Sequence, residues 1–192
     1  MSNNSDNGGI TRRAVVATAA LVPIAAIKTA AAATTSAFSP TQRRTLVAFI
    51  DRLVPKDETG PSASECGAAE YIDSSLGDFL APEKPAFLAG IDAMDADAKR
   101  AHGAAFADLS ADQQDALLVQ AEKNSRPFFE RVRRLTLEGM FSDPHYGGNQ
   151  DFRGWDLIRY PGPRLAVSPA EQELKIPIKP VHMSPYGNKH GH

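Results

Sequence analysis

Few residues in this chain are of types that perform chemistry, and their spacing decides what each can do. His182, His190 and His192 carry nitrogens suited to a metal. They sit at the end of a proline-rich segment with no carboxylate close in sequence to orient them, so they read as a solvated tail. Asp57 and Glu58, beside Gly60, offer hard oxygen ligands but lack the alternating spacing and closing glutamate of a calcium loop. Gly147-Gly148-Asn149 follows no strand and reads as a tight turn, not a phosphate cradle. The chain has no dinucleotide glycine fingerprint, phosphate loop, haem-attachment motif or nucleophile elbow. The sequence therefore predicts no catalytic, cofactor-binding or metal-binding residue here. An independent, hydrolase-like enzyme would need a site assembled from scattered residues such as Asp57, His145 and Arg159, in a pocket with perturbed titrating groups.

Cys66 is the only cysteine, which excludes an internal disulfide and a cysteine-based zinc or iron–sulfur site. It is either a buried small hydrophobe or a thiol that bridges to a partner in an oxidising compartment. Tyr146, Trp155, Arg159, Tyr160 and Pro161 lie on a non-helical stretch, where aromatic rings can anchor an interface while presenting a polar edge. For Trp155 the alternative is that it plugs the helical core. With Cys66, these residues make up the candidate partner interface. A net charge of −2 lacks the cationic excess that neutralises phosphates, so nucleic acid is excluded as a partner.

The elements that position these residues are helical. At 192 residues the chain accommodates one domain with tails, and a hydrophobic fraction of 42% suffices for a packed core. Ser39-Pro40 starts a first helix that Pro55 ends, with Leu46, Phe49, Ile50 and Leu53 at helical spacing. A second runs from Ser64 to Leu76 and closes at Gly77. Pro82 and Pro85 open a third, whose buried stripe of Phe87, Leu88, Ile91 and Met94 is expected to end before Asp95–Arg100. Ser110 and Gln113 form a capping box for a fourth, and a fifth carries Phe128, Phe129, Val132, Leu135 and Met140. No stretch alternates long enough to build a sheet, so the expected fold is all-α, with about five helices over residues 38–163.

Residues 164–192 hold Pro169, Pro177, Pro180 and Pro185 between short apolar pieces (Leu165, Val167, Ile176, Ile178, Val181, Met183), which predicts an extended tail. Such a tail lies over its own domain or along a partner; the second is favoured because tails commonly order on large surfaces.

Residues 1–37 read as an export signal. Thr11-Arg12-Arg13 precedes an apolar run from Ala14 to Ile27, too short for a comfortable membrane span, and Ala30 to Ala37 offers small-residue cleavage sites. Arg12 and Arg13 resemble the twin-arginine signal, which is handled by the twin-arginine translocase and carries proteins already folded. Val15 and Val16 only stand in for its apolar positions, and Ala17 replaces its lysine. An ordinary secretory signal or an uncleaved anchor are the alternatives.

An ordered set of motifs completes the reading: Leu53-Val54-Pro55 with Asp57 and Gly60-Pro61-Ser62-Ala63; Glu65 and Gly67 with Tyr71-Ile72-Asp73; Phe106 with Leu109-Ser110 and Gln113-Gln114; and Tyr146-Gly147-Gly148-Asn149, Gly154-Trp155 and Tyr160-Pro161-Gly162. The set resembles the gluconate 2-dehydrogenase subunit 3 family, the small subunit of membrane-associated sugar dehydrogenases. The resemblance implies a non-catalytic subunit that binds no cofactor itself. Its partners would be a large flavoprotein subunit holding FAD and a multihaem cytochrome c subunit holding haem c. The location implied is the periplasm, against the inner membrane through the complex. The role implied is to supply the export signal and to help the flavoprotein fold and stay soluble. A free-standing periplasmic binding or scaffold protein is the competing class. Replacing Arg12 and Arg13 together by lysine is expected to strand this chain and its partner in the cytoplasm, checked by fractionation and immunoblotting; unchanged periplasmic yield would show the route to be wrong.

Overall fold

The computed structural model describes residues 36–164, 166–173 and 179–187. Arg12 and Arg13, the tail residues Leu165, Ile176 and Ile178, and the terminal His190 and His192 lie outside the described residues. Within the unit Thr34–His192 there are six described α-helices. Helix α1 (Pro40–Leu53) starts where Ser39 and Gln42 close a capping box: the serine oxygen accepts the Gln42 N–H at 3.2 Å, and the Gln42 side chain accepts the Ser39 N–H at 3.0 Å. Ser110 and Gln113 repeat the device at α4 (Ala111–Asn124). Helix α2 spans Ala68–Gly77, α3 Lys84–His102 and α5 Arg126–Phe141.

The core is built from phenylalanines at helical spacing. Phe49 of α1 is fully buried and meets Phe106, Phe128 and Phe129 at ring separations of 6.4, 6.0 and 5.8 Å. Phe87 of α3 joins Phe128 at 5.8 Å. Such tilted and edge-on contacts favour aromatic pairs, and each buried ring removes a large apolar area from water. Helices α2 and α5 pack closely at Gly139, where a Cβ would stand 2.8 Å from the Ala68 Cα; only glycine permits that approach. Tyr71 donates to Glu138 across the same seam at 3.2 Å.

Four expectations need correction. The second helix starts at Ala68, because Ser62–Gly67 form tight turns and Gly67 has a φ of 82°. Burial in α3 continues past Met94: Asp95 is 7% exposed and Ala98 fully buried, since the Asp95 carboxylate reaches inward to accept the Phe106 N–H at 3.0 Å. A sixth helix, α6 (Arg153–Leu157), occupies a stretch read as loop. The domain begins before residue 38, for Ser36 and Ala37 are bonded to Asp73 of α2. Among the described residues the nearest approach to a sheet is one antiparallel bridge between Asp57 and Gly60.

Where it is described, the tail is extended apart from short turns and lies over its own domain, one of the two placements expected. Ser168 caps a single 3-10 turn, Pro169–Gln172, and residues 179–187 return to the domain. The Val181 N–H donates to the Pro161 carbonyl at 2.9 Å, and Ser184 is buried.

Asp95 yields a test of the α3 correction. Burial pushes its carboxyl upward, but the bonds from Lys99 and from the Phe106 N–H outweigh this and hold it below its ordinary value. A carboxyl held low stabilises the fold above about pH 4, and that contribution is lost as pH falls through the lower native value. Asp95→Ala, which orphans the buried Phe106 N–H, is expected to cost about 1–3 kcal/mol at pH 7 in urea denaturation and to flatten the acid loss seen in the wild type.

Candidate interaction surface

Two motif groups far apart in sequence meet at the end of the bundle where α5 stops and α2 starts. The first is the turn region Pro55–Gly67. Asp57 folds its carboxylate onto its own turn, accepting from the Thr59 hydroxyl at 2.5 Å, the Thr59 N–H at 2.7 Å and the Gly60 N–H at 3.2 Å; these bonds, the hydroxyl's first, lower its pKa. Glu65 accepts from Lys56 and from the Ser62 N–H, which likewise hold it low. Asp51 of α1 receives the Ser64 N–H and hydroxyl at 2.8 and 2.7 Å, so the turn is tied to the bundle.

The second group, Tyr146 to Gly162, lies on this turn as a cap. The Gln150 N–H donates to the Cys66 carbonyl and Arg153 to the Glu65 carbonyl, each at 2.9 Å. Asn149, fully buried, organises the cap. Its side-chain NH2 donates to the Ser142 carbonyl past the end of α5 at 3.0 Å, and its side-chain oxygen accepts the N–H groups of Gly154 and Trp155 at 2.9 and 3.3 Å. One carboxamide thus joins the carbonyl end of α5 to the amide end of α6, two places where backbone groups lack helical partners. Gly154 is required there, since a Cβ would fall 1.7 Å from the Met140 carbonyl oxygen.

The cap is strained and aromatic. All four non-glycine residues with positive φ among the described residues, Asn149, Asp151, Phe152 and Arg159, belong to it. Backbone held in such regions persists only where the surroundings over-determine it, and it concentrates at functional sites. Trp155 packs against Phe152 and Tyr160, at 5.3 and 4.9 Å, and its indole N–H donates to the Phe141 carbonyl. The returning tail stacks His182 on Phe152 at 5.0 Å, with Nε2 2.7 Å from the Asp156 carboxylate. Tyr186 meets His145 and Tyr146.

Of the nine large hydrophobic side chains exposed among the described residues, six lie on the cap and tail: Tyr146, Ile158, Tyr160, Val167, Met183 and Tyr186. Such concentration on one segment makes it the candidate interaction surface, since scattered exposure needs no explanation and clustering does. Tyr146, Arg159 and Tyr160 of the predicted interface are exposed, and Pro161 is half-buried. For Trp155 and Cys66 the structure shows the buried one of the two readings. Trp155 is 5% exposed and supports the cap from within. Cys66 is fully buried, and that burial raises its thiol pKa. Sequence reasoning did not single out Ile158 or Tyr186, and it named Met183 only among the apolar residues of the tail. It read Asn149 as a turn residue and as part of a motif, not as the buried organiser of the cap.

Of the scattered trio weighed as an enzymatic site, Asp57 closes a local turn and the His145 ring lies among Tyr146 and Tyr186, 5.4 Å from each. Among the described residues no group of three or more His, Cys, Asp and Glu side chains is placed to hold a metal, and no helix is long and apolar enough to cross a membrane.

The family model for gluconate 2-dehydrogenase subunit 3 matches residues 40–162, from the first helix to the end of the cap. No curated protein and no solved structure matches the chain.

Asn149→Ala leaves two N–H groups and a carbonyl without their partner in a buried place. It is expected to cost about 2–4 kcal/mol and to redden Trp155 fluorescence in the native state, whereas a surface change such as Arg159→Ala stays within about 0.5 kcal/mol. Chemical denaturation followed by fluorescence checks both.

Proposed function

The chain belongs to the gluconate 2-dehydrogenase subunit 3 family, and from that premise we propose that it is the non-catalytic small subunit of a periplasmic FAD-dependent sugar or sugar-acid dehydrogenase, docked to the large flavoprotein through the cap. The observation that carries this reading is the convergence of the two motif groups into a strained cap with exposed Tyr146, Ile158 and Tyr160. Lasting subunit contacts are richer in apolar and aromatic surface than transient ones.

In this reading the flavin belongs to the large subunit, and haem c to a third subunit that passes electrons onward to the quinone pool. This chain contributes an export signal for a partner lacking one, and a rigid surface on which that partner folds and remains soluble. Arg12 and Arg13 address the assembled pair to the twin-arginine translocase, a route suited to a cargo folded around its cofactor in the cytoplasm. Association with the inner membrane comes through the complex.

Native purification from the host, with mass spectrometry and a visible absorption scan, is expected to return this chain with a larger flavoprotein in equal amount. The paired change Ile158→Asp with Tyr186→Ser alters side chains that are 53% and 65% exposed. It is expected to leave stability within about 0.5 kcal/mol of wild type while weakening recovery of the flavoprotein by about tenfold or more. A colourless single chain, or full recovery by the paired variant, would overturn the reading.

A further inference from the structure

We propose that His182 and Asp156 latch the tail segment 179–187 onto the cap, and that the latched segment is a required half of the docking surface. The inference rests on the reading of the cap as the place where the flavoprotein docks. His182 and Asp156 act in it as positioning residues, which hold other side chains ready for the partner.

Few bonds seat this segment. Among the described residues three polar bonds join it to the chain before it: the Val181 N–H to the Pro161 carbonyl at 2.9 Å, Arg164 Nη2 to the Lys179 carbonyl at 3.0 Å, and His182 Nε2 to an Asp156 carboxylate oxygen at 2.7 Å. The first two fix where the segment passes. Gly162 leaves room for it there, since a Cβ would fall 2.1 Å from the Val181 carbonyl oxygen. The third bond fixes how the segment lies. An ionised carboxylate can only accept, so Nε2 is the donor. The same imidazole stacks on Phe152, within 6° of parallel and with ring centroids 5.0 Å apart. Asp156 is on α6 and Phe152 directly precedes it, so one side chain of the tail is held from two sides by the element that Asn149 anchors.

What the latch positions is Tyr186. Its ring lies 5.4 Å from that of His145 and 6.4 Å from that of Tyr146, and Ser184, between the latch and Tyr186, is buried. Tyr186 is 65% exposed and Tyr146 49%, so two segments distant in sequence present neighbouring rings to solvent. A partner that covers Tyr146 meets Tyr186 beside it. Aromatic side chains of this kind supply a large share of the binding energy at interfaces. A surface that is ordered beforehand docks without the entropic cost of ordering it on contact, whereas an unlatched tail imposes that cost.

The test makes Asp156→Ala and His182→Ala in the full chain, singly and together. In the free chain, amide exchange at Val181 is expected to quicken by about tenfold or more in each variant, while the urea midpoint of the helical circular dichroism stays unchanged. Recovery of the flavoprotein is expected to fall by about tenfold in each single variant. The double variant is expected to fall no further than His182→Ala alone, because the pair works as one device. The two side chains are 43% and 51% exposed, so if each touched the partner directly their losses would add. Additive losses would overturn the proposal, as would full recovery despite faster exchange at Val181, or unchanged exchange in either single variant. Each of these results leaves the docking reading standing, whereas a wild-type chain that returns no flavoprotein would overturn both.

Discussion

The carboxamide of Asn149 bonds the end of α5 to the start of α6. A helix that stops leaves carbonyls without donors, and one that starts leaves amides without acceptors. Asn149 satisfies one of the first and two of the second from a fully buried position. Glutamine would be a methylene too long, and aspartate would lose the donor while placing a charge in the interior. The positive φ values of Asn149, Asp151 and Phe152 fall where the chain leads from this closure into α6. Trp155 then fills the space beneath, and the tail lies across the top through His182 and Val181.

The helical bundle acts as a mount for this cap. Its phenylalanine core sets the orientation of α5, and the Gly139 contact sets how closely α2 lies against it. The turn before α2 supplies the carbonyls on which Gln150 and Arg153 rest. Carboxylates hold both the turn and the bundle in place. Asp57 and Glu65 close turns, and Asp95 and Asp73 anchor the backbone of neighbouring segments. The exposed side chains these supports present are Tyr146, Ile158 and Tyr160.

Much of the bundle is legible in the sequence for local reasons. Ser39 with Gln42 and Ser110 with Gln113 announce helix starts because the reciprocal bonds span four residues. Proline and the spacing of Phe49, Ile50, Leu117 and Val132 mark the remaining elements and faces. The cap is less legible. Helix α6 has five residues, too few for periodicity to register, and Asn149 is buried by residues that its own sequence neighbourhood does not reveal. The inward turn of Asp95 depends on the Phe106 N–H, supplied by a segment beyond the end of its helix. Tyr186 and Met183 join the exposed surface because the chain doubles back at Pro161 and Val181, a pairing between segments that no motif announces. Tyr146 and Tyr160 were accessible to sequence reasoning since aromatic rings among glycines and prolines are unusual; Trp155 has the same texture and the opposite role.

Amide hydrogen exchange, measured on the chain alone and in complex with the large flavoprotein, tests the docking role of the cap most directly. Docking through the cap slows exchange by about tenfold or more in residues 145–162 and 179–187 on complex formation, while the exposed sides of α3 and α4 keep their rates. Protection confined to α3 and α4, with the cap exchanging as it does in the free chain, would contradict it.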